Sequence, residues 1–255
     1  MRPLSISIDV EPDLHTNAYN SVKAIPNLLR LFKKYNVKAT FFTTCDCIEK
    51  YPSVFKSIKK EGHEISLHGY KHHRFDNLSL DEKENDIKKS IACFKKYLKT
   101  KPAGFRAPQH SIDRETMNLL EKYYFKYDSS LIPWNFYHLI FFWKIKVKFM
   151  NNFSPMKIHK INNLYEIPIS SFIMPFSSIT LRILPLPLLK MYFHLIDSYK
   201  EPVFLMHSWD LIEIPDSKIY NLCPIDEFMK RFEFMLEFFS HRRKYAKIDE
   251  LISTN

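Results

Sequence analysis

The stretch LSISIDVE, residues 4–11, constrains the fold more than any other part of the chain. Leu4, Ile6, Ile8 and Val10 alternate with Ser5, Ser7, Asp9 and Glu11, which is the period of a β-strand. Side chains two apart share a face, so Asp9 and Glu11 point the same way. Next, Ala18, Val22, Ile25, Leu28, Leu29 and Phe32 recur at the spacing of one helix face. The alternation continues: VKATFFTT (37–44) reads as a strand, 52–60 as a short helix closed by Gly62, and HEISLHG (63–69) as a strand. Residues 80–97 read as a helix, GFRAP (104–108) as a short strand and 113–124 as a helix. Strands that alternate with helices in this way pair in parallel, so the fold class is α/β.

From about 132 to 200 the pattern weakens. LIPWNFYHLIFFWKIKVKF (131–149) is apolar, aromatic and basic, which suits core packing, a lid over substrate or shallow membrane attachment. LYEIPIS (164–170) reads as a strand and LPLPLLKMYFHLI (184–196) as a helix entered through prolines. PVFLMHSWDL (202–211) restores a buried-strand signal, and a helix through 225–240 with a last strand near YAKIDEL closes the chain. No Gly/Ser linker interrupts the 255 residues, so one domain over 1–255 is expected, with an irregular insertion around 132–165.

Polar groups gather at the ends of these strands. Asp9 and Glu11 end the first, His68 the third, Arg106 follows in FRAP, Asp128 lies in KYDSSL and His207 in LMHSW. In open or barrel-like α/β folds the carboxyl ends of strands converge on one rim, where sites form. SLHGYKHHRF (66–75) sets His68 and His72 four apart, either as a metal-binding pair or as a histidine-rich polar loop. Two imidazoles with one carboxylate leave coordination positions open. A second carboxylate can take a proton from water, a histidine can protonate a leaving amine, and an arginine can keep the carboxylate ionised. These parts suit metal-assisted hydrolysis. His63 reads as structural, and His73 as surface.

Order and local context resemble the polysaccharide deacetylase family (the NodB-homology or carbohydrate esterase family 4 domain) across roughly residues 4–211. SIDVE stands where the family has its paired-acid motif, HGYKH where it has H-x3-H and FRAP where it has R-x-P. YDSS and LMHSWDL match later segments of the branch with a D-x-E or D-x-D first motif. The common motif has two adjacent aspartates, whereas Val10 separates Asp9 from Glu11 here.

The resemblance implies a distorted (β/α) barrel of about seven units. It implies Asp9 as catalytic base, His207 as general acid, Arg106 as the group that orients Asp9, and Asp128 as a partner of the acid histidine. Glu11, His68 and His72 would hold a divalent metal, with Zn2+ as the default and Co2+, Ni2+ or Fe2+ also suited. The implied reaction is removal of an N-acyl group, acetyl first, from an amino sugar of a glycan or of a lipid-linked or nucleotide-linked precursor. Deformylation of a formamido sugar, hydrolysis of a small cyclic amide, and a non-catalytic glycan-binding or membrane-peripheral module are the alternatives.

The formal charge of +10 favours anionic neighbours, so peripheral contact with an anionic membrane is expected. The basic residues form no block, and no nucleic-acid-binding motif accompanies them, so no nucleic-acid partner is expected. Four cysteines without CxxC spacing, and a start that lacks signal-peptide layout, lead to the expectation of a cytoplasmic protein, peripheral at the inner membrane face.

Overall fold

The computed structural model describes residues 1–133, 153–214, 217, 220 and 222–252. The first half alternates as its periodicity demands. β1 (Pro3–Val10), α1 (Asn20–Lys34), β2 (Ala39–Thr43), α2 (Cys45–Lys50), α3 (Pro52–Lys60) and β3 (Glu64–Leu67) come first. α4 (Leu80–Leu98), β4 (Gly104–Phe105), α5 (Arg114–Lys122) and β5 (Tyr127–Asp128) follow. The second half holds β6 (His159–Ile161), β7 (Leu164–Glu166), a small hairpin of β8 (Ser171–Phe172) and β9 (Met174–Pro175), and β10 (Val203–His207). The helices Ser178–Ile183, Leu186–Asp197 and Ile225–Ser240 pack outside it, and β11 (Lys244–Tyr245) precedes a last helix, Ile248–Ile252. The strand expected near YAKIDEL is therefore two residues long. The Ile248 and Asp249 N–H groups turn instead to Thr40 Oγ1 (2.9 Å) and Glu64 Oε2 (3.2 Å), at the start of a helix. Trp134, Trp143 and most of the aromatic-basic run lie outside the described residues.

The main sheet runs β10–β1–β2–β3–β4–β5–β7–β6, parallel throughout except for the antiparallel β6–β7 pair, with β11 against the start of β1. Beyond β7 the chain crosses to the free edge of β10. Ser170 N–H donates to Val203 O (3.1 Å) and Leu205 N–H to Phe176 O (3.0 Å). An irregular crossing thus links the two edges, and the parallel strands curl into the distorted barrel that was expected.

Closure explains why β1 is buried on both faces. Leu4, Ile6, Ile8 and Val10 join the apolar layer with Val22, Ile25, Leu28, Leu29 and Phe32 of α1. The Ser/Asp face looks into the barrel, where polar side chains must satisfy one another. At the floor, Glu64 accepts from Thr40 Oγ1 (2.7 Å), Ser66 Oγ (3.0 Å) and Tyr127 OH (2.7 Å). Gly104 serves that packing: a Cβ there would fall inside the Tyr127 ring.

His63 is structural, as expected. Its ring lies 5.7 Å from Phe32 and 5.6 Å from Phe41, and its Nδ1 accepts from the Ala39 N–H (3.1 Å). Burial, helped by Lys38, lowers its pKa to about 4. A folded pKa below the unfolded one means that unfolding takes up a proton between those values. Stability is then complete above about pH 6.5 and falls as pH drops towards 4. The expected loss from this group between pH 7 and pH 4 is on the order of 3 kcal/mol. His63→Asn keeps an acceptor for Ala39 but cannot titrate, so urea melts across that range should show a flatter stability curve. An unchanged slope would refute the assignment.

Candidate metal and proton-transfer site

Each side chain at the barrel mouth arrives by a local rule. Asp9 and Glu11 share a face at the end of β1, and both are buried. His68 follows β3, with its N–H on Thr43 O (2.9 Å). Gly69, at φ +84°, reverses the chain where a Cβ would meet Lys71 O at 3.0 Å. The turn returns His72 to within 5.2 Å of His68, ring centre to ring centre. Arg106 follows β4, and His207 ends β10 in register with Asp9.

The two carboxylates have different partners. Arg106 is fully buried and donates from Nη1 to Asp9 Oδ1 (2.7 Å) and Ser7 Oγ (3.0 Å). Its Nε and Nη2 donate to Ser129 O (2.8 Å) and Ser129 Oγ (2.9 Å), and its guanidinium lies 4.1 Å from the centre of the Phe42 ring. Burial raises the Asp9 pKa, but Arg106 foremost, then His68, His207 and His110, outweigh it and hold the carboxyl below its ordinary range.

Glu11 instead faces imidazoles. Its Oε2 lies 3.7 Å from His68 Nε2 and in contact with His72 Nε2, yet it accepts no hydrogen bond of regular geometry. Against the cost of burial, the two histidines draw its pKa down to about 2.

The donor set fits a divalent cation. Glu11, His68 and His72 each offer one ligand atom, and the three atoms lie within 4.8 Å of one another. His68 Nδ1 sits 2.8 Å from Arg106 O. A carbonyl oxygen only accepts, so that nitrogen carries a proton and leaves Nε2, which faces the carboxylates, as the atom that would bind a cation. A backbone carbonyl that fixes the tautomer of an imidazole is the usual outer support of a metal-binding histidine.

His207 stacks on Trp209, with ring centres 4.2 Å apart and planes 7° apart. Its backbone N–H donates to Asp210 Oδ2 (2.9 Å), and Asp210 Oδ1 lies 3.3 Å from Arg182 Nη2. Trp209 is buried here.

Asp128, expected as partner of the acid histidine, lies among other groups here. Its oxygens accept from Ser130 Oγ (2.7 Å) and Ser130 N–H (3.1 Å), and its carboxyl meets that of Glu166. Burial first, and then the Asp128 charge, push Glu166 well above the usual range, which keeps its carboxyl protonated beside Asp128. The pair braces β5 against β7 behind Arg106. Asp210 meets the backbone N–H of His207, whose ring Nδ1 is buried without a hydrogen bond.

Sequence reasoning also missed His110. Two successive residues with positive φ, Gln109 (52°) and His110 (55°), fold the chain after FRAP back over the mouth. His110 Nδ1 lies 3.0 Å from Ser130 O, and burial, with Arg106 and His207, lowers its pKa to about 3 despite Asp9. It is a neutral imidazole beside the Asp9–Arg106 pair. The one signal for it was a histidine four residues after Arg106, with no strand period to place it. His73 is exposed, as expected.

Residues 4–127 match the family model for polysaccharide deacetylase. A peptidoglycan deacetylase of Helicobacter pylori is 35% identical over 124 residues, covering 49% of this chain and 42% of its own length. A peptidoglycan-N-acetylglucosamine deacetylase of Bacillus cereus is 32% identical over 109 residues, covering 43% of this chain and 37% of its own length. The chain thus spans less than half the length of these curated relatives.

In fold, a Mycobacterium smegmatis protein assigned to the polysaccharide deacetylases superposes with a TM-score of 0.70 at 16% identity, over 99% of this chain and 90% of that one. A family 4 pseudoenzyme from Bacillus anthracis gives 0.58 at 16% identity, over 98% and 67%. At such identity these likenesses show the fold alone. Residues 4–127, the part that carries Asp9, Glu11, His68, His72 and Arg106, thus match the polysaccharide deacetylase family, and the chain shares its fold with solved proteins assigned to that family.

Proposed function

We propose that this chain is a metal-dependent hydrolase that removes an N-acyl group, acetyl first, from an amino sugar of a glycan or glycan precursor. The observation that carries the reading is the division of labour between the two buried carboxylates. Glu11 Oε2 faces two imidazoles and accepts no hydrogen bond of regular geometry, whereas Asp9 is held ionised by Arg106. Two carboxylates with different environments take different roles.

Glu11, His68 and His72 would hold a divalent ion, zinc by default, with cobalt, nickel or iron suited to the same donors. A cation there supplies Lewis acidity, which polarises an acyl carbonyl and makes water easier to deprotonate. Asp9 accepts the proton of the attacking water through Oδ2, the oxygen that Arg106 leaves free. Arg106 keeps that carboxylate charged and aimed. His207, across the β1–β10 seam from Asp9, delivers a proton to the departing amine. His110, with Nδ1–H directed to Ser130 O, presents its other nitrogen as an acceptor near Asp9 and Arg106. The relatives named for peptidoglycan support an amino-sugar substrate. Lipid-linked and nucleotide-linked amino sugars belong in the same panel.

The test joins two measurements on the purified chain: metal content by elemental analysis, and acetate release from peptidoglycan fragments and from lipid-linked and nucleotide-linked N-acetylamino sugars. About one divalent ion per chain and turnover on one member of the panel are expected. Asp9→Asn should keep the metal and lose roughly 10²–10⁴ in kcat. A chain that binds no metal and releases no acid would be a glycan-binding module on the shared fold, and would sink the proposal.

A further inference from the structure

The helix Leu186–Asp197 buries Leu189, Tyr192, Phe193 and Ile196 and leaves Leu188, Met191 and Leu195 exposed at 47%, 57% and 38%. Their spacing puts these three on one face. Beside them the β8–β9 hairpin exposes Phe172 and Ile173. Helix and hairpin are joined: Tyr192 OH donates to Met174 O (2.8 Å) and Tyr199 OH to Ser171 O (2.7 Å). Leu188 and Leu195 stand one turn to either side of Tyr192, so the exposed side chains form a single apolar patch. A contiguous patch of this kind marks an interaction surface.

Ile173 sharpens the point. It sits at φ +64°, a conformation in which a β-branched residue is an outlier and asparagine or glycine is at ease. Being exposed, it recovers little of that cost through packing. An apolar side chain at a strained, protruding tip is best explained by what the tip touches.

The charge decides between occupants. Lys190 is exposed on the same helix, Lys157 is exposed beside Met156, whose sulfur lies 3.7 Å from Tyr199 OH, and the chain carries +10. Two copies would bring like charge together, whereas an anionic bilayer attracts it.

We propose that this patch seats the protein on the surface of an anionic phospholipid bilayer. The hairpin tip and the Leu188–Met191–Leu195 stripe enter the headgroup region, with the lysines on the phosphates. The surface is separate from the deacetylase site and does not rest on that reading.

Sedimentation of the full chain with vesicles of equal phosphatidylglycerol and phosphatidylcholine tests it. Binding is expected there and not to pure phosphatidylcholine, and raising the salt should weaken it. The double variant Ile173→Asn/Met191→Gln should bind at least about ten-fold more weakly while its melting temperature holds or rises, because asparagine relieves the tip. Equal binding of the variant, or no binding of the parent chain, overturns the proposal. So does a dimer on gel filtration that the same substitutions dissociate, since the patch would then join two copies.

Discussion

His68→Ala is expected to cost the protein both the cation and the hydrolytic activity proposed for it, with kcat/KM falling about 10³-fold or more. That factor corresponds to several kcal/mol of transition-state stabilisation of the kind a bound cation supplies. The size follows from the position of the ring. His68 reaches both carboxylates and the Arg106 backbone: Nδ1 is tied to Arg106 O, and Nε2 lies 3.9 Å from Asp9 Oδ2 and 3.7 Å from Glu11 Oε2. Alanine deletes the ligand atom and leaves two buried carboxylates closer to uncompensated. Zinc titration calorimetry and turnover measured together check it. A variant that keeps a stoichiometric ion and the parent rate would remove His68 from the metal site. His73→Ala, one residue beyond His72 and exposed, is the matched control and should alter stability by no more than about 0.5 kcal/mol.

The second large effect concerns Arg106. Arg106→Leu leaves the Asp9 carboxylate buried without its cation, which should destabilise the chain by about 3–5 kcal/mol. Lysine should not rescue it, because one ammonium cannot serve Asp9, Ser7, Ser129 O and Ser129 Oγ at once. The pH dependence carries the sign. In the parent chain Asp9 is held below its ordinary pKa, so its contribution is complete above about pH 4 and is lost as pH falls through the lowered value. Without Arg106, burial dominates and the Asp9 pKa moves up, so lowering the pH neutralises the stranded charge. Urea melts should therefore show a larger loss for Arg106→Leu at pH 7 than at pH 5. An equal loss at both values would mean that packing on Phe42, and not charge, is what Arg106 supplies.

Much of the fold follows from local periodicity. The alternation in residues 4–11 made β1, and the apolar stripe from Val22 to Phe32 made the helix that covers it, because side-chain direction along one element depends on that element alone. Placing Asp9, Glu11, His68, Arg106 and His207 at strand ends likewise brought them to one mouth. Where period and element length were ambiguous, the reading was weaker. YAKIDEL became a two-residue strand followed by a helix, because Thr40 and Glu64, some two hundred residues earlier, claimed its backbone donors.

The surroundings of Asp128 and the place of His110 were hidden from the sequence for one reason. Asp128 reads as a site carboxylate from its strand end, but Glu166 from β7 and Ser130 meet it first. His110 belongs to no periodic element, and only the left-handed turn at Gln109 and His110 carries it over the mouth. Strand ends and repeat spacing determined by themselves which polar residues reach the rim, since those are properties of short stretches of chain. Which partner each one takes came from the sequence only through the family resemblance, and its physical cause lies in the tertiary structure. Arg106 claims Asp9 across 97 residues and leaves Glu11 to the imidazoles, and that choice is set by the curl of the closed sheet, which no local pattern encodes.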